Sequence, residues 1–225
     1  MRNLFIVTSC LFPKAGTPVS SQERFEKTQD SIKSIIKKDP DAFIVLSDIS
    51  LNPVPEEFKK SLNELVDLYL DLSQITDLVT LSELGLKSAA ETILMMTTIQ
   101  TLKINGLLNG IGRIFKLSGR IILSDDFDIS FYNDKQGKYV FRKRDESWRT
   151  NKYTHYLEAR LYSFCNSLVD THLDVLGKCL SIILSEGLDI EHALLLNVPI
   201  EKLIEVERVY CQGQPAGLNG QWKYD

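Results

Sequence analysis

The chain has 225 residues, of which 44% are hydrophobic and 25% charged, and this predicts one globular domain spanning residues 1–225. The formal net charge of −4 excludes a global electrostatic attraction to nucleic acid. Four cysteines without CxxC spacing disfavour a zinc site and are too few for a disulfide framework. No apolar run approaches the roughly 18–20 residues that span a bilayer, so we expect a cytoplasmic protein without a transmembrane segment.

The first fifty residues predict a β-loop-α-β unit. Strands joined through a helix pair in parallel, and ligands of such sheets bind beyond the carboxyl ends of the strands, here residues 8–10 and 47–50. The predicted elements are a strand at 4–9, a loop at 11–21, a helix that begins at Ser20 or Ser21 and stops at 39–41, and a strand at 42–46.

The rest of the chain continues the alternation of strands and helices. Together these elements predict an α/β fold, with a mixed, mostly parallel central sheet flanked by helices. The tail at 211–224 is rich in Gly and Gln, and we expect an ordered loop or a flexible end there. The predicted helices are 55–65, 84–102, 169–186 closed by Gly187, and 190–196; the predicted strands are 66–72, 111–117, 121–123, 139–143 and 157–164.

An acidic run follows the apolar segment at 121–123. Asp125, Asp126 and Asp128 supply three carboxylates in four residues, which suits a hard cation such as Mg²⁺ or Mn²⁺ bridging to a diphosphate. A polar turn whose aspartates cap a helix explains the same spacing.

Two basic segments are candidate phosphate sites. Gly119 lets the backbone approach a phosphate, and Arg120 beside it, with Lys116, supplies charge. Alternatively, the glycine marks a β-bulge and Arg120 pairs with a surface acid. Lys87 opens a predicted helix, whose N-terminus attracts anions, although an ordinary i,i+4 pair with Glu91 explains its position equally well.

An acid–histidine cluster at 189–192 is the candidate general base. A base that deprotonates a hydroxyl needs a carboxylate or imidazole with a tuned pKa, and Glu191 is the preferred residue. Alternatively, Asp189 is an N-cap and Glu191 an ordinary first-turn acid. The sequence contains no HExxH, GxSxG, GxxxxGK[ST] or GxGxxG motif, which disfavours zinc proteases, serine hydrolases, P-loop enzymes and Rossmann dehydrogenases.

Taken in order, these motifs resemble a family. The chain is similar, over roughly residues 3–215, to small glycosyltransferase-like proteins of the A-type fold from bacteria and large DNA viruses, including phages. If it is viral, its compartment is the host cytoplasm. The segments that carry the resemblance are Thr8-Ser9, Ser21-Gln22-Glu23-Arg24-Phe25, Ala42-Phe43-Ile44-Val45-Leu46, Lys87-Ser88-x-x-Glu91, Phe115-Lys116-Leu117-Ser118-Gly119-Arg120, Asp126-Phe127, Ala159-Arg160-Leu161-Tyr162 and Asp189-Ile190-Glu191-His192.

The resemblance implies a nucleotide-diphosphate sugar donor and transfer to a saccharide, lipid or protein hydroxyl. It also implies a divalent metal in many members. Carried onto this sequence, it places Thr8, Ser9 and Arg24 near the nucleotide, Asp48 near the base or ribose, and Lys87 and Arg120 at the diphosphate.

The sequence departs from the family at the metal motif. A-type enzymes end the central strand in Asp-x-Asp, whereas here that strand ends in Ser118-Gly119-Arg120. Either the aspartates at 125–128 form a displaced metal site, or Arg120 and Lys116 replace the charge of the metal. In both cases we expect Arg120 to stabilise the leaving diphosphate and Glu191 to accept the proton of the acceptor.

Other functions stay open at this stage. A nucleotidyltransferase shares the sheet and the acidic site but releases pyrophosphate, and its usual glycine-rich loop is missing from residues 9–21. A non-catalytic A-type domain that binds a sugar or nucleotide is the second alternative. A plain interaction domain is the third.

Overall fold

The computed structural model describes residues 1–14, 19–147, 153–213 and 223–224. The helices are α1 (Ser21–Lys38), α2 (Glu56–Asn63), α3 (Thr76–Glu83), α4 (Lys87–Ile104), α5 (Ile129–Asn133), α6 (Val169–Glu186) and α7 (Ile190–Asn197). The strands are β1 (Arg2–Ser9), β2 (Phe43–Asp48), β3 (Leu68–Asp71), β4 (Ile111–Ser118), β5 (Ile121–Leu123), β6 (Tyr139–Arg142), β7 (Asp145–Glu146), β8 (His155–Tyr156), β9 (Leu161–Cys165), β10 (Leu203–Val206), β11 (Cys211–Gly213) and β12 (Lys223–Tyr224).

A seven-stranded sheet forms the centre, in the order β3-β2-β1-β4-β9-β6-β10. All its strands run in one direction except β9, which is antiparallel to both of its neighbours. Strand β1 lies between β2 and β4, and Thr8 stands opposite Ser47 on one side and Ser118 on the other. The carboxyl ends of these three strands therefore meet at one edge. The predicted mixed, mostly parallel α/β sheet is confirmed.

The sheet is buried on both faces, as the apolar run of β1 predicts. Because side chains alternate along a strand, Leu4 and Ile6 belong to the core formed with α4, α6 and α7. Phe5 and Val7 belong to the core formed with α1. None of the described helices combines the length and apolar character that a membrane crossing requires.

Local signals at the helix ends were predicted correctly. Ser20 caps α1 by accepting a hydrogen bond from the Glu23 amide at 3.1 Å. Gly187 closes α6 in the left-handed conformation, with φ of 65°. The long helix predicted from residue 84 begins instead at Lys87, because Gly85 has φ of 80° and separates it from α3.

The prediction for the tail was wrong in its described part. Residues 211–213 form β11, which pairs with β5, and residues 223–224 pair with β11. Residues 214–222 lie outside the described part of the chain. Short elements with little periodicity were also missed, namely α3, α5, the β7–β8 hairpin and β10.

Candidate functional site

Backbone hydrogen bonds tie three strand ends together at the carboxyl edge. The Gly119 amide donates to the Thr8 carbonyl at 2.8 Å, and the Ile49 amide donates to the Ser9 carbonyl at 3.0 Å. A Cβ on Gly119 would lie 3.1 Å from the Thr8 carbonyl oxygen, so the turn after β4 is packed closely against β1. This contact fixes where Arg120 leaves the sheet.

Arg120 is half-buried at this edge, and its guanidinium has no hydrogen-bond or ion-pair partner within the described residues. Burial, followed by the nearby charge of Arg24, lowers the pKa of Arg120. Arg24 donates to the Cys10 carbonyl at 3.2 Å and to the Val19 carbonyl at 3.3 Å. Two guanidinium groups, at Arg24 and Arg120, are therefore neighbours beside the ends of β1 and β4.

Among the described residues, no surface acid pairs with Arg120, contrary to the alternative interpretation. The two carboxylates that interact electrostatically with Arg120 are already paired, Glu23 with Lys27 at 2.6 Å and Glu91 with Lys116 at 2.5 Å. The alternative i,i+4 pair of Glu91 with Lys87 is not formed either. Lys87 is exposed at the first position of α4.

Lys116 is structural. Its side chain is 1% exposed, and its ammonium donates to the Ala159 carbonyl at 2.7 Å and to the Ser118 hydroxyl at 2.8 Å, besides its ion pair with Glu91. An ammonium has three N–H groups, so none is left for a diphosphate. The expectation that Lys116 serves the ligand is corrected accordingly: it joins β4 to α4 and to the segment before β9.

Asp48 also points into the protein. Its carboxylate is fully buried and accepts hydrogen bonds from the Leu11 amide at 2.9 Å, and from the amide and hydroxyl of Ser50 at 3.1 and 2.5 Å. Burial raises its pKa to about 6. Asp48 thus holds the loops after β1 and β2 in place, and the expectation that it contacts a base or ribose is corrected.

The acidic run at residues 125–128 does not fit a metal site. Asp125 pairs with Lys37 at 2.6 Å, and the hydrogen bond from Lys37 lowers the pKa of Asp125. Asp128 caps α5 through the Ser130 amide, as the capping alternative predicted, and Asp126 is exposed. Within the described ranges, no three acidic, histidine or cysteine side chains are grouped so that they could hold a metal ion.

The position of the acidic run explains why. Strand β5 turns back from the carboxyl edge, and Arg113, near the start of β4, donates to the Tyr132 carbonyl of α5 at 2.8 Å. The segment from Asp125 to Asp128 therefore lies toward the amino ends of the central strands, whereas Arg120 lies at their carboxyl ends.

Glu191 lies in the first turn of α7. Burial raises its pKa to about 7, with a further upward contribution from Glu91 and smaller ones from Asp189 and Glu158. Glu91 interacts electrostatically with both Arg120 and Glu191. The Leu157 amide donates to the Glu191 carbonyl, and Lys116, the partner of Glu91, donates to the nearby Ala159 carbonyl, so these groups share one region at the end of β4. A carboxylate with a pKa near neutrality is suited to general acid–base chemistry.

A chain of hydrogen bonds holds the start of α7. Asp189 is the N-cap, accepting from the His192 amide at 3.1 Å and contacting the ring nitrogen Nδ1; Nε2 lies 2.6 Å from the Ser147 hydroxyl. These are the groups of a hydrolase triad, but the imidazole side chain is wholly buried. We assign a structural role to these hydrogen bonds. They join the β7–β8 hairpin to α7 and so position Glu191.

The described structure has a cleft of about 510 Å³, which lies away from Arg120 and Glu191. Asp128 is the only predicted site residue that lines it. Its other lining residues include Phe131, Val206 and Tyr210, near α5 and the end of β10. We locate the candidate site by the convergence of charged groups at the strand ends, because no predicted phosphate or acid–base residue lines this cleft.

The sequence pattern did not indicate the role of Glu91 or the ion pair between Glu158 and Arg160, which precedes β9. One signal was available. Lys116 interrupts the apolar strand of residues 114–117, and a buried cation requires a carboxylate partner from elsewhere in the chain.

The fold, and not the sequence, shows similarity to known proteins. No family model and no curated protein matches the sequence. Core-mannan synthase A from Aspergillus fumigatus, in its Mn/GDP form, matches with a TM-score of 0.53 and 9% identity over 90% of this chain and 72% of that one. A glycosyltransferase involved in glycosylation of the major capsid of PBCV-1 matches at 0.51 and 7%, over 92% and 82%.

The galactosyltransferase LgtC, in complex with donor and acceptor sugar analogues, matches with a TM-score of 0.53 and 9% identity, over 91% of this chain and 73% of that one. Identities this low establish the fold alone. The chain has the A-type glycosyltransferase fold.

Proposed function

We propose that the protein is a glycosyltransferase, which moves a sugar from a nucleotide-diphosphate donor to a hydroxyl of a saccharide, lipid or protein. One observation carries the proposal. At the carboxyl edge of an A-type sheet, an unpaired guanidinium, Arg120, shares a region with Glu191, a carboxylate whose pKa is raised to about 7. An anion site beside a tuned carboxylate is the pair that glycosyl transfer requires.

The donor's diphosphate lies against Arg120 and Arg24 in this proposal. Ligands of open α/β sheets bind outside the carboxyl ends of the strands, and Thr8 and Ser9 end β1 there. Lys87, exposed at the N-terminus of α4, adds a second source of positive potential. Charge grows on the diphosphate as it leaves, so the preorganised guanidinium groups stabilise the transition state more than the ground state.

Glu191 acts on the acceptor. The acceptor oxygen bonds to the anomeric carbon, the bond from that carbon to the diphosphate oxygen breaks with its electron pair, and the acceptor proton passes to the Glu191 carboxylate. Burial raises the pKa of Glu191 to about 7, so its carboxylate can accept a proton near neutral pH. No step is assigned to a metal, since the described residues contain no group of three acidic, histidine or cysteine side chains that could hold one.

The fold relatives support this substrate class. One is recorded with Mn and GDP, and another with analogues of both donor and acceptor sugars. The experiment is a screen of the full chain with UDP-, GDP- and dTDP-sugars, measuring release of the nucleoside diphosphate with and without saccharide acceptors. CMP-sugars, which carry a single phosphate, serve as the contrast.

We expect one donor class to be turned over, with slow hydrolysis even without acceptor. Glu191→Gln should lower turnover by about 10²–10⁴-fold, the usual contribution of a general base. Donor binding without any turnover by the native chain would instead favour the non-catalytic domain, and release of pyrophosphate would favour a nucleotidyltransferase.

A further inference from the structure

We propose that Arg24 and Arg120 together form a metal-independent diphosphate site, in which two guanidinium groups supply the charge that a divalent cation would otherwise provide. The inference deepens the proposed function and rests on it for the identity of the ligand, the diphosphate of a nucleotide-sugar donor. It follows from four features of the carboxyl edge.

The first feature is the local charge balance. Of the carboxylates that interact with Arg120, Glu23 is neutralised by Lys27 and Glu91 by Lys116. Neither Arg24 nor Arg120 has a carboxylate partner in the described part of the chain. The pair therefore presents two uncompensated positive charges, which match the two negative charges of a nucleotide-sugar diphosphate.

The second feature is the cost of this arrangement without a ligand. A half-buried guanidinium loses hydration, and a second one nearby repels it; both effects appear in the lowered pKa of Arg120. Proteins pair buried charges or bond them, and neither guanidinium has a carboxylate partner among the described residues, so the two together suit an anionic ligand. Arginine also suits phosphate, because its planar fork donates two parallel hydrogen bonds.

The third feature is how the two side chains are held. Arg120 follows a turn fastened to the Thr8 carbonyl, and its own carbonyl lies under Gly213 of β11. Arg24 is held by two carbonyl groups, of Cys10 and Val19, at 3.2 and 3.3 Å. These hydrogen bonds are long, and their carbonyl acceptors carry no net charge. A negatively charged phosphate oxygen forms a stronger hydrogen bond with a guanidinium and can therefore replace them.

The fourth feature concerns the metal itself. Central strand β4 ends at Ser118 and is followed by Gly119 and Arg120, and the aspartates at 125–128 lie toward the amino ends of the strands. A divalent cation brought to Arg120 would meet two like charges, and the carboxylates that interact with Arg120 are already paired with lysines. The same position is favourable for an anion.

The test measures binding rather than catalysis, with inorganic pyrophosphate as the probe. The full chain is titrated by calorimetry in EDTA, and by thermal shift in EDTA and in excess Mn²⁺. Arg24→Gln and Arg120→Gln each remove one charge of the pair. Arg208→Gln removes the same charge from an exposed arginine outside the site and is the matched control.

We expect pyrophosphate to bind in EDTA, and each glutamine variant at the pair to weaken binding at least tenfold. Arg208→Gln should bind as the native chain does. Arg120→Lys, which keeps the charge but not the fork, should fall between. Circular dichroism and the unliganded melting temperature show whether each variant is folded, and Arg120→Lys decides the question if the glutamine variant is not.

Binding that requires Mn²⁺, or binding unchanged by both Arg24→Gln and Arg120→Gln, would overturn the inference. The proposed transferase function fails in a different way. If pyrophosphate binds as expected but no donor sugar is turned over, the anion site stands and glycosyl transfer does not. If donors are turned over only with Mn²⁺, transfer stands and metal independence does not.

Discussion

Two basic side chains near the end of β4 have opposite surroundings. Lys116 is buried, and all three of its N–H groups are used within the protein. Arg120 is half-buried and unpaired within the described residues. Their sequence context alone does not show which of the two has partners within the protein. The difference arises because Lys116 points toward α4, where Glu91 can reach it, whereas Arg120 lies after the turn.

Removing the Lys116 ammonium should destabilise the fold. Lys116→Met leaves Glu91 and the Ala159 carbonyl without their donor, and we expect a loss of about 2–3 kcal/mol, reduced from the fully buried case because Glu91 is partly exposed. Urea unfolding measures it. Lys87→Met, an exposed control, should change the free energy of unfolding by less than about 0.5 kcal/mol.

Glu191 gives a prediction about pH. Its pKa rises from 4.5 in the unfolded chain to about 7 in the folded one. The folded state therefore binds more protons between these values, and the contribution of Glu191 to stability falls as pH rises from about 4.5 to 7. Above that window the ionised carboxylate is half-buried near Glu91, Asp189 and Glu158, and destabilises the fold.

Glu191→Gln removes this titration. We expect the variant to gain stability relative to the native chain at pH 8 but not at pH 4, as measured by urea unfolding at both values. Turnover by the native chain should rise with pH through an apparent pKa near 7, since the base acts when ionised. An unchanged stability difference between the two pH values would contradict the assignment.

At the scale of single elements, the sequence indicated where helices begin and end, but not which side chains from distant segments contact each other. The side chains of Ser20 and Asp189 accept hydrogen bonds from free amides at the start of their helices. Gly187 ends α6 because it adopts the left-handed conformation and its amide bonds to the Ile183 carbonyl. Such signals are local in sequence. The ion pair between Glu91 and Lys116 depends on α4 packing beside β4. No spacing rule within the sequence reports that contact.

The cap of α7 should contribute measurably to stability. Asp189→Ala removes the acceptor of the His192 amide and the partner of its ring, and we expect a loss of about 1–2 kcal/mol. Asp189→Asn, which still accepts from the amide, should lose less. Thermal unfolding measures both, with Asp174→Ala on the exposed surface of α6 as the control.

At the scale of the whole molecule, the mostly parallel pairing of the central strands followed from the sequence pattern, but the closing segment did not. The apolar runs of β1, β2 and β4 predicted a buried parallel sheet, which the structure confirms. The return of β11 onto β5 joins distant parts of the chain, and its three residues carry no periodic signal. Yet this pairing brings Gly213 against the backbone of Arg120 and so connects the end of the chain to the candidate site.

This connection leads to a matched pair of glycine substitutions. A Cβ on Gly213 would lie 2.4 Å from the Arg120 carbonyl oxygen and 2.6 Å from Cδ1 of Ile121, and the first of these is backbone that cannot move aside cheaply. Gly213→Ala should therefore displace β11 or the turn that carries Arg120. A Cβ on Gly177 of α6 would meet nothing within 4 Å.

We expect Gly213→Ala to lower the free energy of unfolding by about 1–3 kcal/mol, as overpacking typically does, and to weaken pyrophosphate binding although no charge is lost. Gly177→Ala should raise stability by about 0.5–1 kcal/mol, because alanine restricts the unfolded chain, and should leave pyrophosphate binding unchanged. Urea unfolding and calorimetry on both variants make the comparison. If Gly213→Ala loses stability but binds pyrophosphate as the native chain does, β11 supports the fold without setting the position of the Arg120 guanidinium, and the diphosphate site depends on the β1–β4 edge alone.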